Sequence, residues 1–526
     1  MHSAFHLNIT KIYSTSLVRA FANSNTMIIR TLILLPLVFL TTSSSAKVSL
    51  PNIFGDHMVL QRDQDNPIWG TASPGEVVSV SINEQKHTTV ADRKGKWRLL
   101  LSPLQAGGPH TLKIKGQNTL YFEDVLIGEV WFCSGQSNME WAVSNINHSE
   151  VELATASNPQ IRLITIAKNG TQIPQDNIEG QWTAATPQSV SNFSAVGFLF
   201  GKRLQSALNV PIGLIDNAWG GSAAEAWVPR EVLQQNGAFD DYIKTMDERC
   251  SEYTDEIHAN KLAEFKKWEA AGKPEPRLRW PNDVRNGQHR PANIYNGMLH
   301  PLIGYGIKGV IWYQGESNTS RSEEYRELFP LMISTWRDLW KQGDFSFYWA
   351  QLTYFHKEVI DPNADSWWAR LREAQTMTRS LPNTGEAVII DAGEGRDIHP
   401  RDKQTVADRL VRHALSKDYG FDMASDSPQF TSMELEGDSA VVTFDLVSRA
   451  GLRAFDVSEV RGFRIAGEDR EFVWADAQII GKNKIRVFSD SVINPVAVRY
   501  AWADNPVANL EDRNGLPVTP FRTDNW

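Results

Sequence analysis

Val125-Leu126-Ile127-Gly128-Glu129-Val130-Trp131-Phe132 runs directly into Cys133-Ser134-Gly135-Gln136-Ser137-Asn138-Met139, and this junction decides the fold. The first eight residues are apolar enough to be a strand buried on both faces. A serine in the tight, glycine-containing turn behind such a strand is exposed to both a substrate and a general base. The local pattern is Gly-Gln-Ser-Asn rather than Gly-x-Ser-x-Gly, so the usual hydrolase elbow is not present.

The same grammar recurs outward from this junction. Apolar runs at 211–218 (PIGLIDNA), 309–314 (GVIWYQ) and 386–391 (EAVIID) alternate with helical patterns at 196–208, 323–340 and 403–415. Strand–helix alternation of this kind predicts an α/β domain over 126–420, with a parallel sheet covered by helices on both faces. Residues about 231–290 are charged and helix-prone, and read as an insertion or lid between two core strands. Upstream, 47–125 alternates short apolar runs such as VVSVSI (77–82) with turn signals such as Gly107-Gly108-Pro109, which predicts a small N-terminal β-sandwich. Downstream, 421–526 returns to β patterning at 440–447, 460–467 and 484–490, and reads as a C-terminal β-domain. No internal repeat is visible.

The first 46 residues read as a secretory leader whose true start is possibly Met27. A positive beginning, the apolar Thr31–Leu40 and the small-residue end Ser44-Ser45-Ala46 fit a signal peptide cleaved near Lys47. The apolar run is too short to span a bilayer, which needs roughly 20 residues. Losing the leader's three cations, Lys11, Arg19 and Arg30, takes the formal charge from −9 to −12. The expectation is an exported protein, periplasmic or secreted, with no membrane span in the mature chain.

Composition narrows the function classes. With 53 Lys+Arg against 62 Asp+Glu and no basic stripe, nucleic acid is a poor partner. Two cysteines cannot build a disulfide framework. Cys133 ends a buried strand, so a buried free thiol is expected rather than a pair with Cys250. The histidines lack metal-ligand spacing, and neither a metal nor another cofactor is expected. The 18 tryptophans are a high count, and indole faces stack on sugars, although most such rings belong to cores.

Four polar clusters follow four apolar runs, at the strand ends where open parallel sheets bind ligands. They are Gly135-Gln136-Ser137-Asn138, Trp219-Gly220-Gly221-Ser222, Gln314-Gly315-Glu316-Ser317-Asn318 and Asp397-Ile398-His399-Pro400. Singly, each is ordinary turn chemistry. Together they offer a nucleophile, backbone N–H groups and amides for an oxyanion, and an imidazole base.

That order of Ser, Gly, amide and His resembles the SGNH (GDSL-like) hydrolases and, more closely, the bacterial sialate O-acetylesterases. The matching stretches are MVLQR (58–62), GEVWFCSGQSNMEW (128–141), NAWGGSAAEAW (217–227), YNGMLHPL (295–302), GVIWYQGESN (309–318), IHPRDKQTVADRL (398–410), RYAWADNP (499–506) and PFRTDNW (520–526). They span nearly the whole mature chain, with 231–290 least covered. The resemblance implies an SGNH-type, flavodoxin-like three-layer fold flanked by two β-domains. It also implies an esterase releasing acetate from O-acetylated sialic acid or another acetylated glycan such as acetyl xylan.

Carried over by position, Ser137 is the nucleophile and His399 the base. Ser137, Gly220, Gly221 and Gln314 supply the oxyanion hole, with Gln314 where many of these enzymes have asparagine. Gln136, Asn138, Trp219, Glu316, Asn318, Arg396 and Arg401 are candidate substrate contacts, and Arg396, Arg401 and Lys403 a candidate anion-recognising patch. One departure stands out. The usual Asp-x-x-His is absent, because Arg396 occupies the acid's place. Asp397 is then the candidate orienting acid, with Asp391, Glu394 or a Ser–His dyad as alternatives. Two other classes remain: a glycoside hydrolase using Glu225 and Glu316, and a non-catalytic carbohydrate-binding protein.

Overall fold

The computed structural model describes residues 47–526, so the leader reading lies outside the described residues. The N-terminal stretch forms β1 (Val59–Gln61), β2 (Asn66–Thr71), β3 (Val77–Ile82), β4 (Gln85–Val90), β5 (Lys96–Leu101) and β6 (Gly107–Lys115). The seventeen-residue β7 (Thr119–Gly135) follows. Its first half pairs antiparallel with β6, and β1 lies parallel along its middle. β2 and β5 form a separate two-stranded sheet. The boundary expected at 125/126 therefore falls inside one unbroken strand.

Beyond Leu126 every residue of β7 is buried, as a strand sandwiched between two helical layers must be. It pairs in parallel with β10 (Ile212–Ala218) on one side and β11 (Gly309–Tyr313) on the other. β8 (Asn158–Thr165) flanks β10, and β9 (Thr183–Ala185) closes that edge antiparallel. β12 (Ser346–Ala350) and β13 (Thr384–Ala387) extend the other edge in parallel. Counted from β7, the parallel strands lie in the order 2-3-1-4-5-6. This differs from the 2-1-3-4-5 order of a flavodoxin-like sheet, because the chain leaves β7 for β8 and only then fills the intervening place with β10.

Alternate residues of β7 face opposite layers. Trp131 meets Phe200 and Cys133 abuts Gly197, both on the helix Ala195–Leu208, whereas Phe132 meets Trp336 and Trp340 on the helix Ser322–Trp340. The sheet is thus the middle of three layers. The apolar run at 386–391 does not stay in it. β13 stops at Ala387, and Val388 and Ile390 pack into a second core with the C-terminal strands.

Those C-terminal strands make two four-stranded antiparallel sheets and a two-stranded one, Leu452–Ala454 with Leu510–Asp512. One four-stranded sheet runs Gln429–Glu436, Ser439–Asp445, Lys484–Phe488 and Asp476–Ile479; the other runs Phe472–Trp474, Phe463–Ala466, Ala497–Tyr500 and Phe521–Arg522. The 231–290 segment contains the helices Asp240–Glu252 and Asp255–Ala270, and the second buries no side chain. Cys133 and Cys250 are both free thiols and both buried.

Candidate active site

The end of β7 shapes the site. Gly135 has φ +138°, and a Cβ there would lie 2.2 Å from the Tyr313 carbonyl oxygen, so only glycine lets β7 and β11 stay together at this point. The Gln136 N–H donates to that same carbonyl at 2.9 Å. Ser137 then opens a four-residue helix, where its N–H has no intrahelical acceptor. Gln136 is buried, and its side-chain oxygen accepts from the Gly315 and Ser317 N–H groups at 3.3 Å each. It ties two strand-end loops together rather than facing a substrate.

Ser137 and His399 line one cleft of about 400 Å³, together with Glu140, Trp141, Lys168 and Asp216. No hydrogen bond joins the hydroxyl to the imidazole. The His399 ring instead lies flat on Trp141, with centroids 4.6 Å apart and planes 11° from parallel. Burial and the nearby Lys403 charge push the imidazole below its ordinary pKa, against the opposing pull of Asp397 and Glu140.

The loop carrying His399 is held from behind by buried polar groups. Asn138 donates to the Ile398 carbonyl at 3.0 Å, and Lys403 Nζ donates to the Pro400 carbonyl at 2.7 Å, so both residues flanking His399 are pinned. Lys403 Nζ also donates to Asn138 Oδ1 at 2.7 Å, and Asn138 Nδ2 donates to Glu316 Oε1 at 2.5 Å. Burial lowers Lys403 to about 7 and raises Glu316. Asn138, Lys403 and Glu316 therefore position the histidine's loop, and Lys403 does not face solvent as an anion-recognising patch would.

Other expected roles are redistributed. Asp397 Oδ1 accepts the His399 backbone N–H at 2.9 Å but lies 3.7 Å from ring Nδ1, beyond a hydrogen bond. Asp391 is bound by the Arg409 guanidinium, and Glu394 accepts the Arg401 N–H at 2.8 Å, so neither reaches the ring. The Gly220 N–H is taken at 2.5 Å by Glu140, whose other oxygen pairs with Lys168. Among the described residues the Gly221 N–H makes no hydrogen bond.

Gln314 is buried, and its amide group donates to the Ser222 carbonyl (3.1 Å) and to Asn318 Oδ1 (2.7 Å). Asn318 in turn donates to Glu225, which pairs with Arg321. Both amides are thus tied into an internal network, and neither lines the cleft of Ser137 and His399. That network and the burial of Glu225 also leave no open carboxylate pair of the glycosidase kind there. Trp219 is half-buried against the core. Arg396 is exposed, and Arg401 lines an open depression beside the cleft with Asp397 and Trp141.

Three cleft residues escape a reading of the four clusters. Glu140 and Trp141 stand three and four positions after Ser137, the spacing that puts side chains on one helical face. Asp216 is a lone acid inside an apolar strand run, and a buried acid is an informative departure from pattern. Of the tryptophans in these motifs, Trp131, Trp227 and Trp312 are fully buried and Trp141 is the ring that reaches the cleft.

A family model described as carbohydrate esterase, sialic acid-specific acetylesterase, matches residues 127–260 and 286–405. The sialate O-acetylesterase of Mus musculus is 30% identical over 547 residues, covering 93% of this chain and 97% of the relative. That of Homo sapiens is 28% identical over 542 residues, covering 93% and 95%. The crystal structure of a carbohydrate acetylesterase from Xanthomonas citri superposes with a TM-score of 0.78 at 38% identity, covering 91% of this chain and all of that one.

Proposed function

Because the chain belongs to the sialic acid-specific acetylesterase family of carbohydrate esterases, we propose that it hydrolyses O-acetyl esters of sialic acid and related sugars through Ser137. The observation that carries this reading is the shared cleft of Ser137 and His399, reached from strand ends on either side of β7. The ordered serine, glycine and histidine blocks support an SGNH-type site on this sheet, even though the strand order is its own.

Acyl transfer proceeds in two halves. Ser137 Oγ attacks the acetyl carbonyl carbon while His399 takes the hydroxyl proton. The bond to the sugar oxygen breaks, and the imidazolium returns the proton to that leaving oxygen. Water, deprotonated by His399, then attacks the acetyl-serine carbonyl carbon, the bond to Ser137 Oγ breaks as the imidazolium returns the proton to that oxygen, and acetate leaves. Of the expected oxyanion donors, the N–H groups of Ser137 and Gly221 are not engaged by the protein, and we assign the oxyanion to them, each such donor being worth roughly 10²–10³ in turnover. Glu140 fixes the glycine turn by holding the neighbouring Gly220 N–H.

Ser137→Ala is expected to abolish acetate release from both p-nitrophenyl acetate and 9-O-acetyl sialic acid, and to lose labelling by a fluorophosphonate. Near-normal turnover in that variant would overturn the assignment. Lys168, the lysine of the cleft wall, is neutralised by Glu140, which supports acetylated neutral glycans such as acetyl xylan as a second substrate class. A panel of acetylated substrates separates the two. We also place the mature protein outside the cytoplasm on the strength of the 27–46 leader pattern. N-terminal sequencing of the exported form should then begin near Lys47.

A further inference from the structure

The wall of the cleft carries a carboxyl group that the mechanism does not use. Asp216 lies near the carboxyl end of β10, in register with Cys133 of β7 and Thr165 of β8, on the face covered by the helix Ala195–Leu208. It is 3% exposed, yet lines the same cleft as Ser137 and His399. Its Oδ2 accepts a long 3.4 Å hydrogen bond from Thr165 Oγ1, the Ser194 backbone adds a weak polar contact, and Oδ1 has no hydrogen-bond partner. A buried carboxyl oxygen without a partner is costly, and in a substrate cleft its natural partner is the substrate.

The groups around it decide which protonation state it presents. Cys133 below it and Thr165 beside it bring no charge. From the helix Ser137–Glu140, the Glu140 carboxylate opposes a second negative charge, and the Lys168 ammonium paired with it offsets part of that effect. The Ser194 backbone offers the remaining polar contact, and His399 lines the same cleft. Burial first, and Glu140 second, push Asp216 up to about 8. At neutral pH it is therefore a carboxylic acid with a proton to donate, in a wall whose one lysine is already paired.

We infer that Asp216 is a substrate-specificity residue, whose neutral carboxyl donates a hydrogen bond to an acceptor oxygen of the acetylated sugar bound in the Ser137 cleft. This rests on the esterase reading, but it fails or stands separately from it. A ligand oxygen would satisfy the orphaned group, and the sugar portion of the substrate supplies hydroxyl and ring oxygens next to the ester, where p-nitrophenyl acetate has only the carbons of an aromatic ring. The donor is lost above about pH 8, where ionisation both removes the proton and sets a second anion beside Glu140.

The test compares steady-state kinetics on 9-O-acetyl sialic acid and p-nitrophenyl acetate between pH 6 and 9 for the wild type, Asp216→Asn and Asp216→Ala. Asp216→Asn keeps the shape and a donor and removes the titration. In the wild type, KM for the sugar should rise as pH passes 8, with KM for p-nitrophenyl acetate flat. Asp216→Asn should hold KM for the sugar within about threefold of the wild-type value at pH 7 and abolish its rise above pH 8. Asp216→Ala should raise KM for the sugar roughly tenfold, the size of one lost hydrogen bond to a buried group, and leave p-nitrophenyl acetate turnover near normal. The inference is overturned if Asp216→Asn retains the wild-type pH profile, or if Asp216→Ala changes both substrates equally. Normal p-nitrophenyl acetate turnover in these variants would leave the serine-esterase assignment standing in either case.

Discussion

At the scale of single residues, His399 works with few partners. Its ring rests on Trp141, and its nearest acid, Asp397, is turned to the backbone N–H of His399 itself. Asp397→Asn keeps that backbone cap through the amide oxygen. It is expected to lower kcat/KM for p-nitrophenyl acetate by no more than about tenfold, against the ~10⁴ seen when a hydrogen-bonded triad acid is neutralised. A loss approaching the larger figure would mean that Asp397 closes on the ring during catalysis. Ser137 and His399 were legible in the sequence because each sits in a short polar block directly after an apolar run. Gln314 and Asn318 misled for a physical reason. An amide behind a strand serves an oxyanion hole or a buried network equally well, and only the surrounding chain determines which acceptors take its hydrogens. Asp216 was hidden by its setting, since a single acid does little to an apolar average over eight residues.

Elements, rather than residues, set the histidine's place. The segment 398–400 reaches the cleft because the first turn of the helix Lys403–His413 and the turn after Ser137 grip the carbonyls on either side of it. Lys403→Met fills nearly the same volume but leaves the Pro400 carbonyl and Asn138 Oδ1 without their donor. The expected result is a loss of kcat larger than any rise in KM, and a loss of stability of about 1–3 kcal/mol by thermal melting. The sign of the pH effect follows from linkage. Lys403 falls to about 7 in the fold, while an unfolded lysine titrates near 10.4, so between these values the unfolded chain binds more protons and this group's contribution to stability rises with pH. The gap in melting temperature between wild type and Lys403→Met should therefore widen from pH 7 to pH 9, and a constant gap would count against the buried, depressed lysine. The strands β7, β10 and β11 were readable because both their faces are apolar. β8 was harder to read, since it carries Arg162, buried and paired with Asp124, in the middle of its run. The 386–391 run reads as one strand in the sequence, but the guanidinium of Arg409 takes the Val388 carbonyl and the Asp391 carboxylate and draws the chain out of the sheet.

Across the whole molecule, the C-terminal sheets are fastened to the layer that bears the site. The buried Arg372, on the helix Trp367–Met377, donates to the carbonyls of Ala503 (2.7 Å) and Asp504 (3.1 Å), and Glu373 next to it pairs with Arg522 at 2.9 Å. Removing residues 421–526 would strip these partners and uncover Val388 and Ile390. The truncated chain is expected to be insoluble or to lose its cooperative melt, whereas an independent appendage would leave esterase turnover intact. The other flank raises a different matter, which concerns how such enzymes can be recombined. β7 begins among the N-terminal strands and ends at the glycine that precedes the nucleophile, so one hydrogen-bonded rod belongs to both regions. A chimaera spliced at 125/126 would join half of one parent's rod to half of another's, and a one-residue mismatch in register would flip every side chain beyond the splice to the wrong layer. Grafting the N-terminal region onto a relative therefore calls for a junction after Gly135, or for carrying the serine turn along with it, which makes the flank and the nucleophile a single inherited unit.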